Sequence, residues 1–584
     1  MKKVDEVVIF RVPNDVHSYH TMFPSQGVAI ICDFLLKNSI IPSVYDIVDL
    51  LGKQGCRELS DSIRSIGNKE NLVLEDYLDV DGKFAGYFNN IISKVNLSRF
   101  PIVLISVESV SPISTIVAVL LGKYIKKLNN EILIILGGES VDMMSCSAEL
   151  FRNRKLNSSI DFIVKINYIE NIMTIIRCFE SGRSLPEMPS IIYYDRDKDK
   201  IVETQGIQEI HRLGKLDFSN FNLAYYSLYM PDYLPGSLVH KDKERMLLLP
   251  FSFIYGCPNR CAFCSESVSK TLYYLKPIEV VKVLDELIRK YNTHYFMFLN
   301  NTLNINYDYM DELCERIIES GMHITWSDCV HFKNLEKKIL LKMKKAGAAK
   351  LIFGLETGSN KMLKFCQKGI TSQEAKIRLK WSHEAGIWNG IEIIAGLPYE
   401  QEEDIKDTIN FINSNSGIID EIHLNRFKLY PCSSFYVNSE QFGICNIKDN
   451  GAELLPKLKM ARNLLLDDPY FRYSFDEKNG KKWVDKMEQI LYSYNRILAS
   501  SKVRKYPVTS VDLHILLYLY GNFAKKGKIK KFYTSFLVAK RIWNFQDRFV
   551  GLVGIFIKRL DPNLYLKLKK IISGAGQDHV AKKT

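Results

Sequence analysis

Three cysteines on one short stretch, Cys257, Cys261 and Cys264 in Tyr-Gly-Cys-Pro-Asn-Arg-Cys-Ala-Phe-Cys, carry the clearest chemical signal in the chain. The C-x-x-x-C-x-x-C spacing can hold three irons of a four-iron, four-sulfur cluster, a group that usually takes four Cys ligands. A fourth iron without a protein ligand is open to a substrate, which suits a redox catalyst better than an electron store. The alternative is a zinc loop, but structural zinc takes four closed ligands in paired Cys or His spacings. No second Cys pair follows here, and the nearest downstream His is His294.

Strands and helices must place that loop. From Leu247 onward, apolar runs at 251–255, 295–299, 323–326, 350–355, 390–395 and 421–429 read as strands, separated by amphipathic helices such as 277–291 and 307–320. Six strand–helix repeats imply a partial (β/α)6 barrel, whose chemistry belongs on the loops after its strands. The cysteine loop follows the first strand. Asn300-Asn301-Thr302 follows the second, Gly354-Leu355-Glu356-Thr357-Gly358-Ser359 the fourth, and Gly396-Leu397-Pro398 the fifth. Glycines there let backbone approach a ligand, and Glu356 can accept from hydroxyl or amino groups. Loops at one end of one barrel converge in space, so together they outweigh any single one.

Ahead of the barrel, strand runs at 7–10, 42–48, 102–106, 132–136 and 161–164 alternate with helices at 27–37 and 114–128. This pattern implies an α/β, doubly wound, Rossmann-like parallel sheet over residues 1–195. Its ligand edge lies beyond the carboxyl ends of the strands, at 106–111 and 137–139. Residues 196–245, with their charged run 195–200 and Pro231 and Pro235, read as a connector. The barrel spans 246–440. Residues 441–584 read as a basic, mostly helical domain with helices at 454–466, 483–499 and 511–523.

The 584 residues are 46% hydrophobic and 25% charged, a soluble globular composition. No signal-peptide pattern opens the chain. The longest clean apolar run near the C-terminus, 549–557, is far short of the roughly 20 residues that cross a bilayer. Twelve Cys, scattered apart from the one cluster, make no disulfide framework, and a reducing cytoplasm fits. Cys32, Cys56, Cys146, Cys178, Cys314, Cys329, Cys366, Cys432 and Cys445 read as small packing residues. Residues 501–584 hold roughly 18 Lys and Arg against 4 Asp and Glu, about +14, which accounts for the whole net charge of +13. That excess is either a solvated helical surface or a grip on an anionic partner, such as an acidic leader or carrier-linked substrate, nucleic acid or a membrane surface. The aromatics interleaved with Lys525, Lys526, Lys528, Lys530 and Lys531 suit either reading.

Residues 246 to about 435 resemble the radical S-adenosylmethionine superfamily. The matching stretches are the Cys-Pro-Asn-Arg-Cys-Ala-Phe-Cys loop, Ile-Phe-Gly-Leu-Glu-Thr-Gly-Ser, Lys-Gly-Ile-Thr at 368–371, His-Glu-Ala-Gly-Ile at 383–387 and Gly-Leu-Pro-Tyr-Glu-Gln-Glu-Glu-Asp-Ile at 396–405. Residues 1 to about 245 resemble the cobalamin-binding domain that precedes it in one large subfamily, through Ile105-Ser106-Val107, Leu136-Gly137-Gly138 and Asp217-Phe-Ser-Asn-Phe-Asn-Leu.

The resemblance implies three cofactors: a [4Fe–4S] cluster on Cys257, Cys261 and Cys264, S-adenosylmethionine on its open iron, and cobalamin. It places Phe263 against the adenine, Glu356 on the ribose or methionine part and the Gly396 loop behind the adenine. Asn300 stands where subfamily members often carry an acid toward the S-adenosylmethionine amino group. Ser106, Gly137 and Gly138 would admit the buried nucleotide tail of cobalamin. Asp15-Val16-His17-Ser18-Tyr19-His20 lacks the Gly of the Asp-x-His-x-x-Gly cobalt-ligand pattern, so His17 reads as a loop histidine. The implied reaction is methylation of an unactivated carbon or phosphorus in a peptide, lipid-like or specialised-metabolite substrate, served by an electron donor such as flavodoxin or ferredoxin. A non-methylating radical cyclisation or rearrangement uses the same scaffold. RNA methylthiolation would need a second cluster, and Cys32, Cys56 and Cys146 lie in unrelated settings. A zinc-stabilised nucleic-acid-binding protein is the non-enzymatic alternative.

Overall fold

The computed structural model describes residues 3–12, 23–67, 81–107, 112–138, 159–165, 168–195, 198–204, 216–229, 245–268, 272–449 and 473–503, with 514, 517 and 518. His17, Cys146, the helix expected at 454–466, most of that at 511–523 and the basic tail lie outside them.

The first sheet is built on strands buried on both faces. In β1 (Glu6–Val12) every residue after Glu6 is buried, which requires a continuous apolar run rather than alternation. Strand order is β2 (Ile41–Asp46), β1, β3 (Ile102–Val107), β4 (Leu133–Gly137), β5 (Phe162–Val164), β6 (Ile191–Asp195), β7 (Lys200–Glu203). The first five strands are parallel, and their 2-1-3-4-5 order puts a topological switch between β1 and β3. Helix Gln26–Lys37 follows β1, with Ser25 accepting from the Val28 N–H at its start. The ends of the charged run, Asp195 and Lys200, pair across an antiparallel β6–β7 ladder, so the sheet extends into the expected connector. Asp195 Oδ1 accepts from the Lys198 N–H at 3.2 Å, the local bond that makes Asp a turn former.

The second sheet is an open half-barrel. Its order is β16 (Glu421–Arg426), β15 (Trp388–Ala395), β14 (Ala348–Glu356), β13 (Thr325–Val330), β12 (Tyr295–Phe298), β9 (Arg245–Phe251), β8 (Ser227–Tyr229). Six strands from β9 to β16 are parallel, and β8 closes the edge antiparallel. The first barrel strand lies upstream of the expected 251–255, because the buried apolar run is Met246–Leu249. Residues 254–255 instead form β10 (Ile254–Tyr255), paired antiparallel with β11 (Tyr273–Tyr274) around the base of the cysteine loop. Helix Pro277–Tyr291 has Pro at its start, where the missing N–H costs nothing. It buries Val280, Leu284 and Leu287 and ends at a left-handed Asn292.

Residues Met1–Tyr229 and Glu244–Tyr518 form one compact unit. A single apolar core includes Val7, Ile9 and Val28 of the first region and Leu249, Phe251 and Val280 of the second. The segment past 440 opens with an antiparallel pair, β17 (Ile444–Asp449) and β18 (Tyr473–Glu477), before helix Trp483–Ser500. Farther on, the Tyr518 hydroxyl reaches into the barrel, 3.0 Å from the Phe296 carbonyl and 2.7 Å from Ser327 Oγ. Among the described residues no helix is long and apolar enough to cross a membrane.

Candidate active site at the carboxyl edge of the half-barrel

Gly256, at φ +80°, turns the chain out of β10 into the cysteine loop, a conformation glycine adopts at no steric cost. Two successive tight turns follow: the Cys264 N–H donates to the Cys261 carbonyl at 3.0 Å and the Ser267 N–H to the Cys264 carbonyl at 3.1 Å. The loop is clamped from both sides through Ala262, whose N–H donates to Cys366 O and whose carbonyl accepts from the Phe435 N–H, each at 2.9 Å. Cys261 is buried, and Cys257 and Cys264 are half-buried. Burial pushes the Cys261 thiol up, and Cys264 up to about 12. Soft thiol donors held this way favour their charged form only when a cation sits among them. The donor set therefore fits an iron–sulfur group, although among the described residues no three of His, Cys, Asp or Glu are arranged to hold a single metal ion.

Phe263, Glu356 and the loop come together with a residue the sequence reading did not single out. Lys368 Nζ lies 2.9 Å from Glu356 Oε1 and 5.7 Å from the centre of the Phe263 ring. Both partners of the ion pair are buried. Glu356 sits at φ +70° beside a register shift between β14 and β15, a backbone state that persists only where its surroundings enforce it. Burial pulls Lys368 down, yet Glu356 and Cys261 hold it above its ordinary value. The only sequence hint was its place in the Lys-Gly-Ile-Thr stretch.

Asn300 is engaged on both sides. Its Oδ1 accepts from the Phe253 and Ile254 N–H groups at 2.9 Å each, and its Nδ2 donates to Asp328 Oδ2 at 2.6 Å. It thus fixes the entry to the cysteine loop, in place of the open contact expected for it. Burial pushes Asp328 up to about 8 against the donors Asn300 and Cys329. Gly396, expected behind an adenine, is φ +82°, and a Cβ there would meet Ile490 Cα at 2.7 Å. Close approach of helix Trp483–Ser500 demands this glycine. The same helix locks Glu400, whose Oε2 accepts from Ser493 Oγ at 2.6 Å and the Gly396 N–H at 3.0 Å. Burial lifts Glu400 to about 7. Glu392, on the neighbouring β15, is likewise lifted to about 7 by burial.

On the first sheet, Arg11, Ser106 and Gly137 lie side by side across β1, β3 and β4. Gly138, at φ +117°, runs so near β3 that a Cβ would meet Val107 N at 2.8 Å. Among the described residues a Cβ on Gly137 would meet Val164 O alone, at 3.4 Å, an ordinary contact. So Gly138 is explained by backbone approach, whereas no described residue crowds Gly137. At the neighbouring strand ends Arg11 pairs with Asp46 at 2.6 Å, and the Tyr226 hydroxyl donates to Asp46 Oδ2 at 3.1 Å. The two carboxyl edges meet at Gln26, whose Oε1 accepts from the Ser252 N–H at 2.6 Å and whose Nε2 donates to Ser252 O at 3.2 Å. Ser252 stands immediately past β9, at the root of the cysteine loop. Cys432 is exposed, against the packing role expected for it, while Cys32, Cys56, Cys314 and Cys366 are buried as packing residues.

Residues 251–412 match the model of the Radical SAM superfamily, so this stretch is a radical S-adenosylmethionine domain. An uncharacterized methyltransferase of Pyrococcus horikoshii is 24% identical over 292 residues, covering 50% of this chain and 60% of that protein. The anaerobic magnesium-protoporphyrin IX monomethyl ester cyclase of Rubrivivax gelatinosus is 22% identical over 288 residues, 48% of this chain and 49% of the relative. The chain thus spans half to three fifths of the length of these curated relatives. The fold is that of TsrM from Kitasatospora setae, a radical S-adenosylmethionine methyltransferase solved with cobalamin and a [4Fe–4S] cluster. That likeness has a TM-score of 0.58 at 13% identity, covering 93% of this chain and 100% of TsrM. The cobalamin-dependent radical enzyme OxsB, solved with aqua-cobalamin and S-adenosylmethionine, has a TM-score of 0.53 at 14% identity, covering 80% of this chain and 60% of OxsB.

Proposed function

We propose that the chain is a cobalamin-dependent radical S-adenosylmethionine methyltransferase acting on an unactivated carbon. The observation that carries this reading is the junction of two ligand edges in one compact unit, with Gln26 of the first bonded to Ser252 at the root of the cysteine loop. When bound, the cluster and S-adenosylmethionine supply a 5′-deoxyadenosyl radical and cobalamin supplies the methyl group, hard chemistry that belongs to the cofactors.

The protein's own residues do the positioning. Cys257, Cys261 and Cys264 hold the cluster on a loop whose shape the Ala262 clamp sets. Phe263 offers an aromatic face beside them, and Asn300 with Asp328 keeps the loop entry rigid. Ser106 and Gly137, small residues at the end of β3 and β4, leave room for a nucleotide tail at the first edge. Packing of helix Trp483–Ser500 over Gly396 excludes water from one flank. The substrate's carbon must be held near both edges for the two chemistries to act in sequence.

The test is incubation of the anaerobically reconstituted enzyme with a reductant, S-adenosylmethionine, methylcobalamin and candidate substrates. Formation of both S-adenosylhomocysteine and 5′-deoxyadenosine with a methylated product is the expected result, and the absence of both rejects it. A second reading, non-methylating radical chemistry, is favoured by the likeness to a cyclase. It predicts 5′-deoxyadenosine alone.

A further inference from the structure

Beside the cysteine loop, two opposite charges are buried together in a space prepared for them. Lys368 is 4% exposed and Glu356 7%. Gly354 makes that space: a Cβ on it would meet Glu356 Oε1 at 2.8 Å and Lys368 Nζ at 2.9 Å. The turn that carries Lys368 is tied to the loop itself, because Cys366 O accepts from the Ala262 N–H at 2.9 Å. Lys368 Nζ also faces Phe263, the residue between two of the cysteines. A buried ion pair contributes little net stability against an apolar substitute, so the cost of this construction calls for another return.

We propose that the Lys368–Glu356 pair sets the reduction potential of the cluster held by Cys257, Cys261 and Cys264, with its positive end toward the sulfurs. The inference rests on the cluster reading above and goes beyond it. Cluster potentials respond to nearby charge and burial, and charges separated by low-dielectric protein interact strongly. Lys368 Nζ is the charge that lies against the cysteine loop, 5.7 Å from the ring of Phe263 between Cys261 and Cys264, so the pair acts as a dipole rather than cancelling. Adding one electron from an external low-potential donor makes the cluster more negative. Lys368 lowers the cost of that step and Glu356 raises it.

The experiment is an anaerobic redox titration of the reconstituted full chain, following the cluster by electron paramagnetic resonance, on wild type, K368M, K368R, E356Q and the double variant. K368M is expected to shift the potential negative, changing the reduced-to-oxidised ratio at fixed potential at least tenfold, or ~59 mV for one electron. E356Q is expected to shift it positive and K368R to stay near wild type, while the double variant shifts negative by less than K368M. Opposite signs from the two halves of one pair are what a merely structural role cannot produce. Equal potentials, or shifts of the same sign, overturn the inference. If K368M fails to assemble its cluster, the sign of the E356Q shift and the K368R value decide. A wild-type protein that takes up no iron and sulfide sinks the cluster reading instead, so the two failures are distinct.

Discussion

The two sheets end in edges of opposite character. At the first, the strand ends offer Ser106, Gly137 and Gly138, and the buried ion pair Arg11–Asp46 is sealed by the Tyr226 hydroxyl. At the second, ionisable groups crowd the interior. Asp328 is pushed to about 8 and Glu392 to about 7, while burial holds His331 down to about 2. Deeper in, Lys350, Glu421 and His423 form a fully buried charged cluster. The first edge is built of small residues and the second of arranged charge. Perturbed titratable groups gather where chemistry is done, and among the described residues the buried carboxyls lifted to about 7 or 8, Asp328, Glu392 and Glu400, lie in the second region.

The comparison can be broken in graded steps. Replacing any of Cys257, Cys261 or Cys264 by Ala is expected to abolish visible iron–sulfur absorbance and 5′-deoxyadenosine formation while leaving cobalamin binding at the first edge intact. Loss of both together would deny that the edges are separate sites. Next, K350M strands the buried Glu421, and about 3–5 kcal/mol of stability is expected to go, read by denaturant unfolding. Burial would raise Glu421, but Lys350 and His423 hold it at about 2. In wild type its contribution is therefore present above the ordinary carboxylate range and lost only as pH falls toward 2. In K350M the unpaired acid prefers its proton, so the deficit is expected to be largest at pH 7 and to shrink toward pH 4.

Smaller effects separate the glycines of the first edge. G138A is expected to cost ~1–3 kcal/mol, because the backbone of Val107 cannot give way. D328N should act through pH instead. The native acid, with its value raised to about 8, keeps a proton that the unfolded chain releases. Wild-type stability from this group therefore falls as pH rises from about 4 to 8, and the variant is expected to flatten that slope in thermal melts. G137A is the mildest: a near-native melting temperature, with weakened cobalamin binding in a titration followed by absorbance. A large stability loss there would mean that the space at Gly137 is structural.

Much of this was legible in advance, for physical reasons. Strands buried on both faces demand unbroken apolar runs, so β1, β3, β4 and most barrel strands could be read directly. The cysteine spacing located the loop, and strand order located its edge. What escaped was set by tertiary contact. Arg245–Phe251 and residues 251–255 are both apolar, and only pairing with β12 selects the former. The charged run at 195–200 looks like a linker, because a hairpin turn and a linker share the same composition. Gly396 carries no mark that its partner is Ile490, nearly a hundred residues on. Lys368 stood in the matching Lys-Gly-Ile-Thr stretch without a role, because its burial beside Glu356 depends on the space at Gly354. The one advance sign at Asp328 is a carboxylate in the middle of a barrel strand.

Tyr518 completes the inner wall of the half-barrel from more than two hundred residues beyond β12. A ribosome must therefore deliver more than five hundred residues before the Tyr518 hydroxyl can meet Phe296 and Ser327. Long-range contacts of this kind slow folding.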